Sequence, residues 1–148
     1  MMRQTLTAAL VAVMLLPLAV VAPLVAQGTA LRDVARGDQS NVETSKQAVS
    51  RTAAQWATMW KEHNWENPAP RVDFSKEMAV AVFLGTQQTA GVTVQITEVA
   101  PKATGGVVIR YRVTRPAAGQ VSAQVLTFPY HIVAAPAHDG PYTFEKID

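Results

Sequence analysis

The sequence predicts an α+β fold, mainly antiparallel β. A small barrel or sandwich carries one amphipathic helix packed on one face, after an N-terminal signal segment. Three observations lead there. Residues Met78 to Leu84, MAVAVFL, contain no polar side chain, so both faces of that strand should be covered by protein. Val92, Val94 and Ile96 alternate with Thr93, Gln95 and Thr97. A two-residue strand repeat turns that into one apolar and one polar face. Ala53, Trp56, Ala57 and Trp60 fall at i, i+3, i+4 and i+7, an apolar stripe on a helix, widened by Met59.

The first 28 residues read as a secretory signal peptide. Arg3 is its positive end, Leu6 to Ala26 carry no charge, and Leu24-Val25-Ala26 or Ala26-Gln27-Gly28 offers a small-residue exit. An uncleaved inner-membrane anchor is the alternative, but Pro17 and Pro23 interrupt a continuous helix. Either way delivery is to the periplasm or cell exterior. Residues 29–148 then form one domain of about 120 residues, enough for one core. There is no cysteine, which excludes a disulfide framework, a thiol nucleophile and a Cys-ligated zinc site. Thirteen basic residues less Arg3 leave twelve against eleven acidic ones. So near a balance gives no reason to expect nucleic acid or an acidic membrane surface as partner.

Within the domain, Leu31 to Arg36 reads as a short edge strand and Gly37 to Asn41 as a turn. Ser50 opens the helix, capped by Thr52 with Gln55 or by Ser50 with Ala53. The helix ends at His63-Asn64, because Pro68 and Pro70 forbid its continuation. Trp56 and Trp60 belong to its core stripe, whereas Trp65 lies past its end and is a candidate for partner contact. Between the two strong strands, Gly85 and Gly91 bracket Thr86, Gln87, Gln88, Thr89 and Ala90, a loop long enough to present side chains.

Pro101 to Gly106 is a hairpin connection. Val107, Ile109, Tyr111 and Val113 then alternate with Val108, Arg110 and Arg112, the arginines on a solvated face. Pro116 to Gln120 is a turn, Val121 to Phe128 is expected to be a strand, and Pro129 bends it. Tyr130, Ile132 and Ala134 alternate with His131 and Val133, which makes His131 a half-buried or surface residue. Tyr142 to Ile147 is a last strand.

The Trp-bearing helix, Asp73-Phe74 before the apolar strand ending in Gly85, the turn Thr89-Ala90-Gly91-Val92 and the segment Pro129-Tyr130-His131-Ile132-Val133 together resemble the PrcB family of protease-complex subunits. The similarity is to the domain named after the PrcB C-terminal region, over about Gln47 to Pro136. Ala90 and Val92 stand where the family has Gly and Tyr. The resemblance implies an accessory or stabilising subunit of an extracellular protease, not the protease.

The residues themselves point to binding rather than catalysis. His63, His131 and His138 have no metal-ligand spacing, and no serine lies in a nucleophile elbow or a Ser-x-x-Lys motif. No glycine pair sits between a strand and a helix as a phosphate loop requires. No cofactor or metal is expected. The candidate partner-binding residues are Thr86, Gln87, Gln88, Thr89, Ala90, Gly91 and Trp65, and the expected partner is an exported protein, a protease on the family resemblance. An inhibitor-like Thr-x-Gly loop and a small-ligand site against the tryptophans are the alternative readings.

Overall fold

A computed structural model describes residues 30–148; the expected signal segment lies outside the described residues. The elements in chain order are β1 (Arg32–Gly37), β2 (Lys46–Ser50), α1 (Ala53–His63), β3 (Glu77–Phe83), β4 (Thr93–Pro101), β5 (Val107–Thr114), β6 (Tyr130–Pro136) and β7 (Tyr142–Ile147). They form a four-stranded sheet, β1-β6-β3-β2, and a three-stranded sheet, β4-β5-β7. The two sheets do not close into a barrel, so of the two architectures expected it is the layered one that forms. All pairings are antiparallel except β5 with β7.

β3 sets the layering. Met78, Val80 and Val82 face the second sheet and pack with Val94, Ile96, Val99, Val107 and Ile109. Ala79, Ala81 and Phe83 face the other way, against Trp56, Met59 and Trp60 of α1. An uninterrupted apolar run thus has protein on both sides, in the order helix, sheet, sheet. The alternation expected for β4 holds from Val92 to Ile96. A bulge between Ile96 and Glu98 then resets the phase, so that Val99 is the next buried residue.

Four expectations need correcting. Ser50 does not open the helix: it ends β2, a strand the sequence reading passed over, paired with β3 from Lys46↔Phe83 to Ser50↔Ala79. Thr52 is the N-cap, its side chain accepting from the Gln55 N–H at 3.2 Å. The helix buries Trp56, Met59, Trp60 and His63 rather than Ala53 and Ala57, which are exposed. Val121 to Phe128 is not a strand. That stretch is loop, and its bridge pairings, Gln87↔Thr127 and Gln39↔Phe128, are isolated ones to other loop residues. His131, finally, is fully buried.

His131 joins the sheets. Its Nδ1 accepts the Ile96 N–H of β4 at 2.8 Å, and its Nε2 lies 2.9 Å from Asp33 Oδ1 of β1. Accepting at Nδ1 fixes the proton on Nε2, which donates to the carboxylate. Asp33 and Ile96 each stand at the bulge of their strand. His63 is buried in an aromatic nest, its ring centroid 4.1 Å from that of Tyr130 and 5.0 Å from that of Trp60. Its Nδ1 lies 2.8 Å from Ser40 Oγ, which also accepts the Val42 N–H. Its Nε2 has no partner among the described residues.

Burial pushes the His63 imidazole down from 6.5 to about 4. It also pushes His131 down, against the opposing pull of Asp33. Both rings are therefore neutral in the fold near neutrality, and each binds a proton more weakly than in the unfolded chain. Where the unfolded chain holds more protons, stability rises with pH. Stability should be level with respect to these groups above about pH 6.5 and fall progressively between about 6.5 and 4, with His63 alone contributing up to about 3 kcal/mol. Urea unfolding across that range, with the His63 ring titration followed by NMR, checks it; an unchanged unfolding midpoint would contradict the assignment.

Candidate functional site

The antiparallel register gathers one set of loops at one end of the first sheet. Lys46, Phe83, Tyr130 and Gly37 are neighbours across β2, β3, β6 and β1, so the chain leaves or enters all four strands there. The C-terminus of α1 reaches the same end, where the His63 carbonyl accepts the Asn41 N–H at 2.9 Å. Trp65, two residues on, is 68% exposed. The structure therefore brings Trp65 and the loop from Gly85 to Gly91 to the same end of the domain.

The loop is tied down rather than freely projecting. Gly85 has φ +72°, and a Cβ there would lie 2.7 Å from the backbone nitrogen of Ser45 and 2.8 Å from the Glu43 carbonyl oxygen. Only glycine can make that turn at that approach. Thr86 donates both its N–H and its hydroxyl to the Glu43 carbonyl, at 2.9 and 3.1 Å. Gln87 and Thr127 exchange backbone bonds of 2.8 and 3.0 Å. The Gln87 side chain donates to the Leu84 carbonyl at 3.3 Å and accepts from Arg115 at 3.1 Å. The Thr127 hydroxyl donates to the Thr89 carbonyl at 3.1 Å, and Ala90 N–H to the Ala123 carbonyl at 3.0 Å. Thr86, Gln88 and Gly91 are exposed, whereas Gln87, Thr89 and Ala90 are half-buried. Among the described residues no non-glycine has a positive φ, so Ala90 occupies its place without needing glycine's freedom.

The partner in this arrangement is the loop 115–127, the part of the site that sequence reasoning missed. Its second part, expected as a strand from Val121, instead displays Val121, fully exposed, with Val125 and Leu126 about half exposed. Pro116 and Gly119 punctuate it and Pro129 follows it, a breaker pattern that argued against regular pairing. Exposed aliphatic side chains beside a braced polar loop suit a protein contact, in which apolar atoms are buried and polar groups orient. Trp56 and Trp60 contribute nothing to this surface: their indole N–H groups donate inward to the carbonyls of Pro70 at 2.9 Å and Asn67 at 2.8 Å. Among the described residues no three His, Asp or Glu side chains converge as a metal site would need.

Residues 78–136 match a family model described as PrcB C-terminal. The matched span runs from β3 through β6 and includes both loops of the candidate surface, and the chain resembles the PrcB family over it. Nothing among curated proteins and nothing among solved structures matches the chain.

Two glycines separate strain from crowding. Gly119 has φ +82° but open space around it, so Gly119→Ala should cost about 1 kcal/mol. Gly85→Ala adds a backbone clash and should cost roughly 3 kcal/mol or more. Urea denaturation of the two variants should rank them in that order.

Proposed function

We propose that this chain is an exported, non-enzymatic accessory subunit that binds a protease through the loop 85–91 and the facing loop 115–127. The supporting observation is the brace between them: five hydrogen bonds, from the Gln87–Thr127 exchange, Arg115 to Gln87, Thr127 to Thr89 and Ala90 to Ala123, hold an aliphatic patch beside Thr86 and Gln88. A surface ordered before binding loses little conformational freedom on association. The match to the PrcB C-terminal model over both loops supports a protease complex as the setting. The charge pattern of the first 28 residues supports delivery outside the cytoplasm. Trp65, at the same end of the domain, extends the surface.

The test is capture from the native envelope fraction with the tagged chain, followed by identification and activity assay of the retained protease. Gln88→Arg and Leu126→Asp alter exposed side chains and should fold with unchanged urea midpoints. Each should lower the amount of protease retained at least tenfold, because charge is introduced into a contact that must be desolvated. Retention at the wild-type level by the folded double variant would remove the loops from the interface. A stabilising subunit raises the yield of active protease, and an inhibitor lowers its rate; the same preparation distinguishes the two.

A further inference from the structure

The two sheets each end in a free strand, β1 in the first and β4 in the second. These two edges face each other across a groove of about 470 Å³, lined by residues 36–38 on one side and 91–95 on the other, with Tyr130. They do not pair, because the His131 ring stands between them with a hydrogen bond at each end. An imidazole and two hydrogen bonds hold the edges wider than the ~4.8 Å spacing of paired strands.

The direction of the free backbone groups follows from that bond. Ile96 sends its N–H away from β5 and into His131, so Ile96↔Tyr111 is a pair that exchanges no ladder bonds. Successive residues of a strand alternate in this respect. Val94, paired with Val113, therefore also turns its N–H and C=O to the free edge. Val94 lines the groove, where an extended backbone laid along β4 would meet its N–H and C=O. The groove begins at Gly91, the end of the braced loop.

We propose that the groove takes an extended segment of the partner polypeptide as an added strand on β4, bonded to the backbone of Val94. This deepens the protease-binding reading and rests on it for the identity of the partner. The recognition chemistry is main-chain hydrogen bonding for affinity, with alternate side chains selected by the groove wall, the mode by which sheet edges capture peptides.

A partner-independent experiment tests it. The purified domain is panned against a random library of twelve-residue peptides, and the best binder is resynthesised with single backbone N-methyl groups along its length. Methylation should weaken binding at least tenfold at alternate positions only, since an added strand turns every second N–H to its neighbour. Amide exchange at Val94 should be fast in the free domain, slower at Ile96, and slowed at Val94 by the peptide. The chain has no cysteine, so Gln95→Cys can be labelled alone with a bulky maleimide; this should block the peptide, whereas the same label on Thr104→Cys, in the β4–β5 turn, should not. No enriched peptide, no alternation in the methyl scan, or unchanged Val94 exchange would overturn the inference. So would a dimer in sedimentation that the Gln95 label dissolves, because the occupant would then be a second copy. Since no protease enters this experiment, its failure is distinct from failure of the envelope capture.

Discussion

The domain depends on the double burial of β3. Met78, Val80 and Val82 fill the space between the sheets, each burial contributing about 1.5–3 kcal/mol. Ala79 and Ala81 are small on the opposite face, leaving room for the indoles of Trp56 and Trp60. The tryptophans in turn pin the segment after the helix through Pro70 and Asn67, so the helix, its exit and the central strand form one packed unit.

Polar groups inside this apolar frame have defined partners or a defined cost. His131 lies within the apolar layer between the sheets, yet each nitrogen meets a partner there, one from each sheet's edge. A buried imidazole so satisfied fixes how the edges sit relative to each other. Among the described residues His63 has one partner and one orphaned nitrogen, offset by contact with three aromatic rings. The two histidines are thus a clasp and a filler, and acid weakens both for the same reason.

What the sequence made legible was local. β3, β4 and the helix announce themselves in runs of seven to eleven residues because period and burial coincide there. β2 did not: Lys46-Gln47-Ala48-Val49-Ser50 has too few apolar residues for a pattern, and only pairing with β3 makes it a strand. The reverse error occurred at Val121 to Phe128, where alternation exists but no neighbouring strand does. The parallel partnership of β7 with β5 is set by how the chain returns after β6, about which alternation is silent. The same holds for the candidate surface. Gly85 and Gly91 marked one loop, but nothing local said that residues 115–127 would lie across it. His131 looked like a polar position on an alternating strand. Its burial depends on an N–H thirty-five residues away.

The place of β6 has a consequence for assembly. Its neighbours are β3 and β1, and β1 lies about a hundred residues earlier in the chain, as in the pair Arg32↔Ala134. As the polypeptide leaves the ribosome, β2, α1 and β3 can meet early and β4 with β5 can form a hairpin. β1 then waits with no strand beside it until β6 arrives to fill the slot between it and β3. Long-range closure of this kind is slow, and an unsatisfied edge is open to wrong pairings meanwhile. Folding chains of this protein should therefore spend their most vulnerable interval with the first sheet missing its second strand.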